Sequence, residues 1–247
     1  MRYLLKTTAF AVWMLFANSY LAKAQAALSK YEIGITGGVF VYQGDLTPRR
    51  IGSYETARPQ IALHVYRIIS PSFSLRLNVN RGSLYGNDAK YSKPDWRQQR
   101  NFKFTTPVTE ISTHIVWSFL AGMEPRFSPY LFSGVGVTFL KINRDWSNIN
   151  TTIFPEGSEV SNGLLIDAAK KTPRTRPVIP VGAGVRYELN DRFSLVGESA
   201  YRFIFTDYLD GFSQAANPKL DDHYLSHDIG VLYKFGKKDK KLGCPGL

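Results

Sequence analysis

Eight stretches of this 247-residue chain alternate apolar and polar residues with a period of two, and the connections between them alternate strictly between short and long. The last stretch, Tyr224 to Phe235, reads Tyr-Leu-Ser-His-Asp-Ile-Gly-Val-Leu-Tyr-Lys-Phe. A strand sends successive side chains to opposite faces. Leu225, Ile229, Val231, Tyr233 and Phe235 therefore share one face, and Ser226, Asp228, Gly230 and Lys234 share the other. Three connections are short, near residues 69–72, 120–127 and 190–192. Four are long, near 43–57, 86–102, 142–174 and 207–223. A soluble sandwich has no reason to sort its loops this way. A barrel crossing a bilayer does, because its turns lie on one side of the membrane and its long loops on the other. The pattern predicts an all-β fold, an eight-stranded antiparallel transmembrane barrel.

The strands are expected at about 31–42, 58–67, 73–85, 103–119, 128–141, 175–189, 193–206 and 224–235. Each has the ~9–11 residues that a tilted strand needs to cross a bilayer. The third alternates most cleanly: Phe73, Leu75, Leu77 and Val79 against Ser74, Arg76, Asn78 and Asn80. In the first, Ile33, Ile35, Val39 and Val41 face out, and Glu32, Gly34, Thr36 and Gly38 face in, the glycines leaving room in a narrow lumen. Pro177 and Pro180 weaken the upper half of the sixth strand. Within the longest loop, 148–154 and 164–170 read as a short hairpin or a helical turn.

Met1 to Ala24 has the parts of a signal peptide: Arg2 and Lys6, an apolar run from Ala9 to Leu21, and the cleavage motif Ala22-Lys23-Ala24. No apolar run of ~18 residues follows, so no later transmembrane helix is expected. Removing Arg2, Lys6 and Lys23 takes the formal charge from +11 to +8. The basic residues fall in loops and in the tail rather than along a helix, and no nucleic-acid motif is present, which argues against nucleic acid as a partner. The charge suits an acidic lipopolysaccharide surface, and the 14% aromatic content suits interfacial belts. The expected location is the outer membrane.

Eight strands of the OmpA/OmpX type leave a lumen that side chains fill. The inward charges are Glu32, Arg76, Glu110, Arg186, Glu188, Glu198, Arg202, Asp228 and Lys234, close to balance. They read as a salt-bridged plug. Phe235, the terminal aromatic, is the expected assembly signal. Glu110, Ser112 and His114 lie two apart on one strand face and look like the parts of a nucleophilic triad, but residues two apart stack in a row, ~7 Å per step, and lack the convergent geometry of a base oriented on a nucleophile. They are read as lumen filling, His64 likewise, and His227 as an interfacial residue on the outer wall. No His, Cys and carboxylate cluster has zinc spacing, and Gly37-Gly38 lies inside a strand. No cofactor, metal site or enzymatic activity is expected.

Residues 236–247 form a basic tail with Lys237, Lys238, Lys240, Lys241 and the single Cys244. With an even strand number both barrel ends lie on the turn side, so the tail is expected in the periplasm. The domain plan is thus signal peptide 1–24, barrel 25–235 and tail 236–247. A lone Cys in an exported chain is free, modified or bonded to another chain. It is either an anchor for a periplasmic partner or an idle thiol.

Tyr31-Glu32-Ile33-Gly34, then Gly37-Gly38, then Tyr42-Gln43-Gly44-Asp45-Leu46 resembles the first strand of a family of small outer-membrane barrels from Bacteroidetes-type bacteria. Gly243-Cys244-Pro245 resembles the C-terminus of the PorG-like group of the type IX secretion system. The likeness covers the mature chain in outline, with specific motifs at its two ends. It implies a non-catalytic barrel that anchors a periplasmic ring built from a lipoprotein, PorK, and its partner PorN, with the basic tail and Cys244 as the contact region. Two other readings stand beside it: a structural or adhesive barrel working through its outer loops, and a lipid-modifying enzyme.

Overall fold

The computed structural model describes residues 30–49, 51–120, 126–218 and 221–235. Its strands are β1 (Tyr31–Gln43), β2 (Arg58–Ile68), β3 (Phe73–Asn87), β4 (Lys103–Trp117), β5 (Phe127–Leu140), β6 (Asn143–Asp145), β7 (Thr175–Glu188), β8 (Phe193–Ile204) and β9 (His223–Lys234). All eight expected strands are present, and their faces fall as the alternation predicts. Each pairs antiparallel with its neighbours. Pairing of β1 with β9, from Glu32↔Lys234 to Gln43↔His223, closes the sheet into a barrel. Closure pairs the backbone groups that an open edge would leave bare in lipid. The short β6 continues the wall beside Lys103–Thr105, where β4 outruns β5.

Two described turns show why the connections on one side are short. In the β2–β3 turn, Ile69 N–H donates to the Phe73 carbonyl at 3.0 Å, and Phe73 N–H donates to Ser70 Oγ at 3.1 Å. In the β7–β8 turn, Asn190 Oδ1 accepts from the N–H groups of Arg192 and Phe193, both at 2.9 Å. Side-chain acceptors of this kind replace a second residue of backbone turn. The expected signal peptide 1–24, residues 121–125 of the β4–β5 turn and the expected tail 236–247 lie outside the described residues.

The outer wall is apolar and bare: Ile115, Val135 and Ile229 are 63%, 68% and 75% exposed. A continuous belt of this kind is a hazard in water and an asset in lipid. Aromatic rings crowd its turn-side edge. Phe73 faces Trp117, Phe127 faces Tyr187, and Phe193 faces Tyr233 across neighbouring strands. Phe235 packs edge-on against Tyr233 at 5.2 Å, and its N–H reaches the Tyr31 carbonyl at 3.3 Å. This terminal aromatic therefore sits at the closing seam.

Inside, small residues make room for large ones. A Cβ on Gly184 would meet the Tyr130 ring at 2.5 Å, and one on Gly82 would meet the Phe40 ring at 2.8 Å. The β5–β7 pairing runs from Phe127↔Tyr187 to Ser133↔Val181 and resumes at Gly136↔Val178, passing over Pro180. Proline has no N–H to give to the ladder.

The long loops are folded. Between β3 and β4 lies α1 (Trp96–Arg100); between β6 and β7 lies α2 (Glu159–Ala169), capped by Ser158, whose Oγ accepts from Ser161 N–H at 3.3 Å. The expected hairpin or helical turn in the 142–174 loop is thus a three-turn helix that starts five residues before Leu164. Residues 148–154 form turns instead. A buried apolar cluster fills the loop-side half of the lumen, with Phe40, Leu84, Phe104 and Ile204 from the wall and Leu164, Leu209 and Phe212 from the loops.

Candidate functional site

The lumen is built in layers. Nearest the turns, Glu32 pairs with Arg186 at 3.0 Å, and Lys234 lies 2.8 Å from Glu188 and 3.9 Å from Glu32. Above this layer sits the buried pair Arg76–Glu198 at 2.5 Å. Tyr130 Oη donates to Glu198 at 2.6 Å, Arg76 Nη1 donates to Tyr66 Oη at 2.9 Å, and the guanidinium lies 4.1 Å from the centre of the Phe132 ring. A third layer joins Arg202 to Glu110 at 2.6 Å, with Tyr224 Oη donating to the same carboxylate oxygen at 2.9 Å. Arg202 also donates to Ser226 Oγ at 2.7 Å, which donates to Asp228 at 2.9 Å. All nine charges expected in the lumen, Glu188 included, point inward. Alternation on each strand made that face legible, but not the pairing.

Ser112 links the second and third layers, and here the structure corrects the expectation that the Glu110–Ser112–His114 row lacks convergence. Ser112 Oγ lies 2.8 Å from both Glu110 Oε1 and His114 Nε2. Side chains lean along a strand and close gaps that the Cα spacing leaves open. The wiring runs opposite to a nucleophilic relay. Arg76 Nε and Nη2 approach His114 Nδ1 at 3.0 and 2.7 Å. That nitrogen must accept, because arginine only donates. The neutral ring then carries its proton on Nε2 and donates to Ser112, so it offers the serine no lone pair to act as a base. The result is a chain of hydrogen bonds from Arg76 through His114 and Ser112 to Glu110.

His64 is buried in the lumen, 2.9 Å from Thr36 Oγ1. His227 lies on the outer wall as expected, between Tyr54 Oη at 2.8 Å and Ser199 Oγ at 2.7 Å. Lys237, Lys238, Lys240, Lys241 and Cys244, the expected partner-binding residues, lie outside the described residues. Among the described residues, no group of His, Cys, Asp or Glu side chains is arranged to hold a metal ion.

Sequence reasoning missed three carboxylate hubs that knit the outer loops together. Asp88 is fully buried and receives Arg97 at 2.9 Å and Arg100 at 2.7 Å. These two arginines therefore turn inward and are not offered to a lipopolysaccharide surface, which corrects that reading of the loop charge. Asp167, on α2, accepts the backbone N–H groups of Ser213, Gln214 and Ala215 at 3.0–3.1 Å, together with Tyr208 Oη at 3.0 Å. It ties the β6–β7 loop to the β8–β9 loop. The third hub is the buried pair Asp210 and Asp222, which meet at Tyr42 Oη. Burial drives both carboxyls well above their ordinary range, and each is raised further by neighbouring acids. Burial likewise lifts Asp45 to about 6 and Asp207 to about 7. No local pattern marks these aspartates: Asp167 finds its partners on another loop, Asp210 and Asp222 meet Tyr42 of β1, and Asp88 reaches its arginines only because its own loop folds back on itself.

The fold has known counterparts. Neisserial surface protein A matches with a TM-score of 0.50 at 13% identity, covering 83% of this chain and 97% of that one. A major outer membrane protein from Thermus thermophilus matches at 0.45 and 13%, covering 82% and 98%. The outer membrane protein OprG from Pseudomonas aeruginosa matches at 0.44 and 12%, covering 83% and 96%. At 13% identity the likeness to Neisserial surface protein A is one of fold alone. No curated protein matches the sequence. The family model described as a domain of unknown function, DUF6089, matches residues 7–240, and the protein belongs to that family.

Proposed function

We propose that this chain is a non-catalytic outer-membrane barrel of the type IX protein secretion system, anchoring a periplasmic lipoprotein ring. The observation that supports this reading is the filled lumen. Three charge layers and an apolar cap occupy the interior from the turn side to the loop side. A plugged barrel works through its ends. The end that faces the periplasm in this reading carries the basic tail, with Lys237, Lys238, Lys240, Lys241 and Cys244, and its motifs resemble PorG-like barrels of Bacteroidetes-type bacteria. The partners are then ring proteins resembling PorK and PorN, with an intermolecular disulfide at Cys244 as the covalent form of the contact.

The test is a non-reducing gel of native outer membranes, comparing the wild type with Cys244→Ser, alongside cargo export in a deletion strain. A high-mass band that disappears with reductant and in the variant supports the anchor, and its mass spectrum names the partner. Normal export after deletion sinks the reading. A second reading, a structural or adhesive barrel, draws on the loop contacts: Arg97, held by Asp88, reaches the Asp45 and Thr47 carbonyls of the β1–β2 loop, and Asp167 holds the β8–β9 loop. Under it, loop deletions with the tail retained carry the phenotype.

A further inference from the structure

The loop-side mouth of the barrel is closed by residues 205–218, the described part of the connection that follows β8. Leu209 and Phe212, from this connection, are fully buried. Phe212 stacks on Phe102, with ring centres 4.4 Å apart, and meets Trp146 edge-on at 6.1 Å. The Leu209 carbonyl accepts from Thr106 Oγ1, on the barrel wall, at 2.8 Å. The connection is therefore a lid whose apolar residues sit inside the mouth.

Two carboxyls hold its backbone. Asp222 Oδ2 accepts from Leu209 N–H at 2.9 Å and from Asp210 N–H at 3.4 Å, and Asp210 Oδ1 accepts from Phe212 N–H at 2.8 Å. Their remaining oxygens, Asp210 Oδ2 and Asp222 Oδ1, both lie 2.7 Å from Tyr42 Oη. A phenol has one hydrogen and donates to one acceptor. The second contact at that distance needs a proton of its own, carried by the other carboxyl and donated to the phenol oxygen. The closed lid thus holds one proton on the pair. The surroundings agree: the neighbouring charges that act most on the pair are Asp45, from the β1–β2 loop, and Asp207, from the lid itself, both acidic. Arg144 packs on the lid but spends Nη1 on the Gly211 carbonyl, at 2.6 Å. Among the described residues, no ion pair reaches Asp210 or Asp222 within 4.0 Å.

We propose that the segment 205–218 is a proton-latched lid: one proton shared by Asp210 and Asp222 through Tyr42 keeps Leu209 and Phe212 in the mouth, and its loss lifts them out. Opening hydrates both carboxyls and releases the proton. The open fraction therefore rises about tenfold per pH unit, from the ordinary carboxylate range up to the titration of the closed pair, and then levels off.

The experiment uses the full chain folded into lipid vesicles on a Cys244→Ser background. Ala215→Cys reports the lid, since Ala215 is 3% exposed, and Leu165→Cys, at a site 72% exposed, is the reference. The ratio of their maleimide labelling rates cancels the rise of thiolate with pH. The ratio is expected to climb by at least an order of magnitude between about pH 5 and pH 9. On the Asp210→Asn background it stays low and flat. The amide oxygen still accepts from Phe212 N–H, and the amide nitrogen donates to Tyr42, as the protonated acid does. Hydrogen exchange at the Leu209 and Phe212 amides, corrected for intrinsic rates, repeats the measurement without a cysteine in the lid. A flat ratio in the parent, or an equal climb with Asp210→Asn, overturns the proposal.

Discussion

Replacing Glu198 with alanine tests whether the charge layers hold the barrel together. The change removes the acceptor of Arg76 Nη1 at 2.5 Å and of Tyr130 Oη at 2.6 Å. Arg76 keeps Tyr66 Oη, His114 Nδ1 and the Phe132 face, but its charge is left at 1% side-chain exposure with no carboxylate. Breaking a buried pair from one side costs about 3–5 kcal/mol, and orphaning a buried hydroxyl costs about 1 kcal/mol more. The partners that remain place the sum near 4 kcal/mol, roughly. With a urea slope of about 2 kcal/mol per molar, the unfolding midpoint in lipid vesicles falls by about 2 M. Arg76→Met combined with Glu198→Leu removes both charges and is expected to recover at least half of the loss, because an apolar pair of similar volume avoids the stranded charge. The assay is tryptophan fluorescence against urea. A midpoint shift below about 0.5 M for Glu198→Ala, or a double variant as unstable as the single one, refutes the reasoning.

Gly184→Val drives side-chain atoms into the Tyr130 ring, which Glu198 holds in place, so it is expected to abolish folding into vesicles; unchanged yield on a heat-modifiability gel would refute this. Asp88→Asn leaves two buried arginines without a carboxylate while the barrel wall is untouched. Limited proteolysis is expected to cut the 86–102 loop faster, with the barrel's melting temperature little changed. Asp45 and Asp207 are raised to about 6 and about 7, so the folded loops bind protons more tightly than the unfolded chain does. Their contribution is complete below the ordinary carboxylate pKa and is lost as pH rises through 6 to 7. Exchange at the Asn217 amide, which donates to Asp45 at 2.7 Å, should accelerate over that window beyond its intrinsic rate.

The barrel itself was legible because its cause is local. Period-two alternation decides which side chains face lipid and which face the lumen, and it does so strand by strand without knowledge of neighbours. The short-and-long order of the connections then decides which strand ends share a side of the membrane. Glu32, Arg76, Glu110, Arg186, Glu198, Arg202, Asp228 and Lys234 could be placed inside on that ground alone. Their partners could not. Arg76 on β3 meets Glu198 on β8 across the lumen, although Glu110 lies on the adjacent strand, because closure and strand stagger set which layers coincide. The same limit hid the convergence on Ser112, where side-chain lean rather than Cα spacing decides contact. It also hid the inward turn of Arg97 and Arg100, since a basic loop residue reads as solvated until a buried aspartate appears beneath it. The sequence by itself determined the architecture, the lipid face and the polarity of the lumen. Only the tertiary structure decided the ion pairs, the loop hubs and the lid, because these depend on how the barrel closes and on how each loop folds back over its mouth, which no local pattern encodes.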